Sequence, residues 1–238
     1  MKILAIESSA KSASVAVAED GQLAAYAYQN VGLTHSRTLM PMLENMLKSS
    51  ELSLADMDAL AVAVGPGSFT GLRIGISTVK GLAFAAGKPC RAVSTLLAMA
   101  TPLAHLSDTL IVCAMDARRE QIYHALFHAK DGRLSRLCDD EAISLSDAAD
   151  RLEREEGLRG LNKVVVGDGA ELCCEYLLKR NIACTPAPPV LLRQSAAGVA
   201  LAAENMPDIS AEALRPFYLR PPQAERLLSA GLLQKPQK

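Results

Sequence analysis

Residues 59–75 read Ala-Leu-Ala-Val-Ala-Val-Gly-Pro-Gly-Ser-Phe-Thr-Gly-Leu-Arg-Ile-Gly, and they narrow the possible folds more than any other stretch. Ala59 to Val64 is an unbroken apolar run. It lacks the alternation of a half-wet strand and predicts one covered on both faces, inside a sheet. Gly65-Pro66-Gly67 ends it, and Ser68 stands where a helix from about Phe69 to Ala86 needs its cap. A strand near Arg91 to Val93 and a helix near Thr95 to Leu106 follow. Ahead of the block, Lys2–Ser8, Ser12–Ala18 and Gln22–Gln29 are short runs, the last two joined by the hairpin signal Glu19-Asp20-Gly21. Thr34 can cap a helix whose apolar residues Leu39, Met42, Leu43, Met46 and Leu47 share one face. Pro41 should kink that helix or mark its first turn.

The same grammar restarts after residue 106. Leu110 to Met115 is an apolar strand ending at Asp116, and Gln121–His128 and Arg133–Cys138 read as meander strands around Asp131-Gly132. Ser146–Glu156 reads as a helix, Lys163–Val166 as a buried strand, and Ala170–Lys179 as a helix. Thr185-Pro186-Ala187-Pro188-Pro189 is a stiff linker or extended segment, and Ser195–Asn205 is a last helix. In both halves the first strand delivers an acid to a turn, Glu7 and Asp116, which implies a tandem duplication of a βββαβαβα unit. That unit resembles the actin, Hsp70 and sugar-kinase fold, an α/β class with two subdomains. The expected division is 1–106, 107–210, and a closing segment 211–238 that packs back and frays at Gln234–Lys238.

Composition bounds the function. With 238 residues, 50% apolar and 21% charged, the chain can bury a core. A net charge of -1 supplies no field for holding a polyanion, and with 4% aromatic residues and no Trp there is little to stack on bases. The six Cys include no CxxC pair and read as reduced core thiols. Glu7 interrupts the opening apolar run, and no such run approaches the length of a membrane span, so a cytoplasmic location is expected.

The glycine block is neither a Walker loop nor a nucleophile elbow: the GxxxxGK and GxSxG spacings both fail. Backbone N–H groups at its helix start could hold an anion, or the loop could be a structural turn. Gly67, Gly71 and Gly75 recur every four residues and line one helical face with Thr78 and, less squarely, Leu82. Glycine inside a helix costs about 1 kcal/mol relative to Ala, so a close backbone approach is expected as compensation. The approaching backbone is either the chain's own sheet or a partner's helix, and the Met-rich face of the first helix offers a second adaptable surface. His124 and His128 fall on one face of a strand roughly 13 Å apart and cannot share an ion. Glu7, Asp116 and the adjoining Ala117-Arg118-Arg119-Glu120 could orient a nucleotide or magnesium, or form a self-neutralising turn.

Taken together, Lys2–Ser9, His35 with Pro41, Gly65–Gly75, Val93-Ser94-Thr95-Leu96, Asp116–Arg119 with Tyr123, and Pro216-Phe217-Tyr218-Leu219-Arg220 resemble the bacterial TsaB family, also called YeaZ. The resemblance implies a noncatalytic paralogue of TsaD. TsaD, TsaB and TsaE work in the transfer of a threonylcarbamoyl group from an adenylate made by TsaC to N6 of adenosine 37 in tRNAs reading ANN codons. It implies a helical bundle between the helices at 34–48 and 69–86 and their equivalents in TsaD, or in a second copy. The interface residues expected are Leu39, Met42, Leu43, Met46, Gly71, Ile74, Gly75, Thr78 and Leu82. No catalytic residue and no metal site are expected. TsaD-like subunits hold a metal with an HxxxH pair, of which this chain keeps His35 and carries Leu39 as the second member. ATP, magnesium and a metal are expected only through the TsaD and TsaE assembly, and tRNA only through the complex. Glu7 stands where many relatives have Asp, and it joins Ser68, Arg73, Asp116 and Arg118 as residues that could lie near a nucleotide. The rival reading is an ATP-dependent small-molecule kinase or acyl transferase using Glu7 and Asp116. A glycoprotease is weaker still, with no metal pair or nucleophile triad in view.

Overall fold

The computed structural model describes residues 1–118 and 120–220. Arg119 and the tail expected to fray at 234–238 lie outside the described residues. The first half runs β1 (Lys2–Glu7), β2 (Ala13–Glu19), β3 (Gln22–Gln29), α1 (His35–Ser49), β4 (Ala59–Gly65), α2 (Phe69–Ala86), β5 (Cys90–Ser94) and α3 (Thr95–Ala100). The second runs β6 (Thr109–Asp116), β7 (Gln121–Lys130), β8 (Arg133–Arg136), β9 (Glu141–Ser144), α4 (Leu145–Arg154), α5 (Glu156–Arg159), β10 (Asn162–Val166), α6 (Ala170–Lys179), β11 (Thr185–Pro186) and α7 (Ala196–Ala203). One sheet has the order β3-β2-β1-β4-β5, and the other, read from its far edge, β8-β7-β6-β10-β11. Strand for strand these are one topology, antiparallel through the meander and parallel through the crossovers. The duplicated α/β unit is therefore present in both halves. Both meanders turn on an Asp-Gly pair with positive φ, Asp20-Gly21 and Asp131-Gly132, the backbone that tight hairpins require.

Several elements differ from the sequence reading. Thr34 occupies the cap position of α1, but its side chain makes no capping bond; instead the Thr38 hydroxyl donates to the Thr34 carbonyl at 3.3 Å. Pro41 sits inside α1, on its exposed side, without ending it. The helix expected to reach Leu106 stops at Ala100 and tightens into a 3-10 turn over Thr101–Leu103, where Pro102 supplies no N–H. The helix expected over 146–156 breaks at Glu155, giving α4 and α5. Strand β9 was not foreseen. Of the proline-rich segment, Thr185–Pro186 is a short edge strand on β10, an edge being where a sheet tolerates proline.

Each sheet is covered on both faces. Helices α1 and α2 lay Leu39, Leu43, Met46, Leu72, Ile76 and Val79 on Leu4, Ile6, Val15, Val17, Leu60 and Val62. The opposite face of that sheet is Ala-rich (Ala5, Ala16, Ala18, Ala61, Ala63) and is covered by α7 from the second half. Reciprocally, Leu96, Met99 and Ala100 of α3 cover Ile111, Cys113, Met115, Ala125 and Phe127 of the second sheet. The two halves thus exchange their last helices, and these cross so closely that a Cβ on Gly198 would overlap the Ala98 carbonyl oxygen. Among the described residues no helix is long and apolar enough to cross a membrane. All six cysteines are free; Cys90, Cys113, Cys173 and Cys174 are buried, Cys138 and Cys184 half-buried.

Candidate functional site

The glycine block folds onto the end of β1. Ser68 N–H donates to the Ser9 carbonyl at 2.6 Å, and a Cβ on Gly67 would come within 2.5 Å of that same oxygen. On Gly71 it would overlap the Ser8 carbonyl oxygen, and on Gly75 the Ser8 hydroxyl, which itself donates to the Gly71 carbonyl at 2.9 Å. Gly71 and Gly75 are buried. The close approach that these glycines require is therefore intramolecular: β1, and not a partner's helix, fills the stripe. This corrects the expectation that Gly71 and Gly75 present an interface.

The same correction applies to Leu39, Leu43 and Met46, which belong to the core of the first half. Met42, Ile74, Thr78 and Leu82 are half-buried at the outer edge of the α1–α2 layer, so these four of the nine expected interface residues stay accessible. Beside them lies a feature that the sequence reading missed. Ser77, Gly81 and Ala85 follow one another at i, i+4, i+8 on the exposed side of α2, with Phe84 next to them 81% exposed. Among the described residues a Cβ on Gly81 would meet nothing within 4 Å. The available signal was a phenylalanine amid small residues at the end of the helix, where the apolar core positions had already been assigned.

The residues expected near a nucleotide are divided by the structure. Ser68 spends its hydroxyl as the α2 cap, accepting from Gly71 N–H at 3.3 Å. Arg73 donates through Nε to the Tyr218 hydroxyl at 3.0 Å and lies 3.9 Å over the Phe69 ring, which stacks on Tyr218 with centroids 4.5 Å apart. Phe217 N–H donates to Val64 at 2.7 Å, and Arg220 reaches the Ala117 carbonyl at 2.8 Å. Arg73 is thus part of a clasp between the closing motif and α2. Asp116 is exposed at the end of β6 and accepts from Arg118 N–H at 2.6 Å, with Arg118 itself at φ 64°. Asp168 accepts from Asp116 N–H and from the Gln194 amide, both at 3.2 Å.

Glu7 is fully buried. Its Oε1 accepts from Ser9 N–H, while Oε2, the Ser9 hydroxyl and the Gln194 side-chain amide oxygen Oε1 have no hydrogen-bond partner among the described residues. Burial pushes its carboxyl up to about 7, and the nearby Asp168 adds to the shift. A group sealed in this way is poorly placed to ligate through a mobile water shell.

Comparison with known proteins gives this geometry its relatives. The family model described as TsaD, tRNA N6-adenosine threonylcarbamoyltransferase, matches residues 29–226. The tRNA threonylcarbamoyladenosine biosynthesis protein TsaB of Escherichia coli (strain K12) is 36% identical over 71% of this chain and 72% of its own. Its Bacillus subtilis (strain 168) counterpart is 33% identical over 66% and 68%. The chain belongs to the TsaB family. A solved structure of YeaZ from Pseudomonas aeruginosa, 25% identical, superposes with a TM-score of 0.75 over 92% of this chain and 99% of that one. The ethanolamine utilization protein EutJ of Carboxydothermus hydrogenoformans, at 13% identity and a TM-score of 0.50 over 84% and 89%, shares the fold alone.

In this TsaB chain the first helix holds one imidazole. His35 Nε2 meets the Ala10 carbonyl at 2.8 Å, which ties α1 to the β1–β2 turn, and Leu39 one turn later is core. The two histidines of β7 are likewise apart. His128 Nε2 pairs with Asp108 at 2.8 Å, whereas His124 is fully buried with Nδ1 3.1 Å from the Cys113 carbonyl.

Proposed function

We propose that the chain is a noncatalytic subunit that binds TsaD and holds it in the active conformation for threonylcarbamoyl transfer to adenosine 37 of ANN-decoding tRNAs. Membership of the TsaB family carries this reading. The site chemistry supports it: of the HxxxH metal pair the chain keeps only His35, and an isobutyl group at Leu39 donates no lone pair. Glu7, the acid that a kinase or acyl transferase would need, is sealed from solvent. ATP, magnesium and metal enter through TsaD and TsaE, and tRNA through the assembled complex. The same surface serves a homodimer when TsaD is absent.

The docking face is the outer side of the α1–α2 layer: Met42, Ile74, Thr78 and Leu82, together with Ser77, Gly81, Phe84 and Ala85. Glycine at 81 has no packing reason among the described residues, and Phe84 is a large apolar group 81% exposed there. A partner's helix crossing at the small residues would cover both. Gly81→Leu and Phe84→Ala, each with an unchanged circular dichroism spectrum, should weaken TsaD binding about 30-fold or more, as loss of a central apolar anchor does. Titration calorimetry showing wild-type affinity in both variants, or transfer of the group to tRNA by the purified chain without TsaD, would refute the proposal.

A further inference from the structure

Beneath α4, on the face of the second sheet remote from the α1–α2 layer, three side chains of different elements converge. His124 of β7, Cys138 of the β8–β9 connection and Glu141 of β9 bring Nε2 or Nδ1, Sγ and a carboxylate oxygen within 4.8 Å of one another. The convergence is built into the pairing. His124 and Glu141 are directly opposed in the β7–β9 ladder, so their side chains emerge on one face. Cys138 is held from the other side, where its sulfur accepts the Leu126 N–H at 3.2 Å.

His124 carries a second, independent sign. A carbonyl only accepts, so the contact of Nδ1 with the Cys113 oxygen puts the ring proton on Nδ1 and leaves Nε2 with a free lone pair. That Nε2 is fully buried and has no hydrogen-bond partner among the described residues, a costly state for a polar atom if nothing occupies it. An imidazole whose other nitrogen donates to a backbone carbonyl is the arrangement of metal-ligating histidines. The geometry points to a zinc site formed by His124 Nε2, Cys138 Sγ and the Glu141 carboxylate, with water completing the coordination. One sulfur, one imidazole and one carboxylate are donors suited to that ion.

Zinc–ligand bonds of about 2.0–2.3 Å imply donors roughly 3.3–3.8 Å apart, so three groups within 4.8 Å of one another need to close by at most about 1–1.5 Å. The half-buried Cys138 and Glu141 give the ion its way in and can make that movement. Arg151 of α4 forms a two-pronged pair with Glu141, the second prong at 3.2 Å. Its charge opposes the ion and lowers the affinity, while its hydrogen bonds orient the carboxylate and leave lone pairs for the metal. On binding, the Cys138 thiol gives its proton to solvent and no electrons change hands. The expected effect is structural, pinning β9 and the preceding connection to the middle of β7. The ion would be shared between strands, not between the two histidines of one strand.

The test uses the full chain with zinc alone or cobalt alone. After dialysis against zinc and removal of excess, elemental analysis should find about one ion per chain, with a raised melting temperature. Cobalt should give a thiolate-to-metal charge-transfer band. Cys138→Ala should abolish that band and weaken zinc binding at least about tenfold, whereas Cys174→Ala should leave both intact. X-ray absorption on the zinc-loaded wild type should show one sulfur with nitrogen and oxygen neighbours, a measurement that stands even if Cys138→Ala fails to fold. A wild-type chain that takes up no metal, a cobalt spectrum without the thiolate band, or zinc retained unchanged in folded Cys138→Ala overturns the inference.

Discussion

Gly71 and Gly75, four residues apart, and Gly81 farther along the same helix look alike in a sequence, but their environments give them opposite roles. A Cβ on Gly71 overlaps the backbone oxygen of Ser8, which cannot swing away, so Gly71→Ala should cost about 2–3 kcal/mol in urea unfolding, the range of an overpacked core. Gly81 has open space among the described residues and ordinary helical backbone, so Gly81→Ala should stabilise by about 0.5–1 kcal/mol. Equal effects at the two positions would sink this account of α2. The spacing revealed that close approaches exist; the atom that makes each approach comes from a strand some sixty residues earlier, which no local pattern encodes. Glu7 is a second case. Its carboxyl titrates near 7 in the folded chain and near its ordinary 4.5 when unfolded, so the native state holds the extra proton between those values. Stability from this group is full below about pH 4.5, falls as pH rises through 7, and is flat above. The loss is on the order of 3 kcal/mol. Glu7→Gln keeps an oxygen for Ser9 N–H and cannot ionise. It should match the wild type near pH 4.5 and exceed it by about 2–3 kcal/mol at pH 8 in urea titrations. A variant no more stable than wild type at pH 8 would contradict the burial of a charged form.

At the level of elements, what was legible were the pieces whose boundaries are written in local chemistry. The Asp-Gly turns fixed both meanders, the continuous apolar run fixed β4, and Ser68 with the glycines fixed the start of α2. Strand β9, four half-buried residues whose Glu-Ala-Ile-Ser sequence does not alternate, was not legible, nor was β11, which exists because β10 offers an open edge to an extended proline segment. Nor could sequence place the closing motif. Pro216–Arg220 contains aromatic and basic residues that suit many surfaces, and only the fold brings Tyr218 onto Phe69 and Arg73. That clasp joins an element end to a loop, so its removal should be local. Tyr218→Ala should cost about 1–2 kcal/mol, the worth of an aromatic pair and a partly exposed hydrogen bond, and should speed hydrogen exchange at Phe217. Exchange mass spectrometry of the peptide containing Phe217 reads this directly. Unchanged protection there would mean that the Phe217–Val64 bond holds without the ring.

For the molecule as a whole, the exchange of α3 and α7 matters more than the duplication that produced it. Each sheet has one face covered by its own helices and the other by the last helix of the opposite half, so neither half has a complete core of its own. The helix Ala196–Ala203 is apolar all round, which signals burial but not where, and its small residues are matched to the Ala-lined face of the first sheet. Independent halves would unfold separately; halves that supply each other's cores must unfold together. Gly198, against the Ala98 carbonyl, is a point where the two exchanged helices lie too close for a side chain. Gly198→Ala forces that crossing apart and should cost about 3 kcal/mol, while the unfolding transition stays single and the free energies read from hydrogen exchange in β1 and in β6 fall by the same amount. Protection lost from one sheet and kept by the other would show that the halves are stable units joined at a surface. The shared core, and the fixed angle it imposes on the α1–α2 docking layer, would then have to be abandoned together.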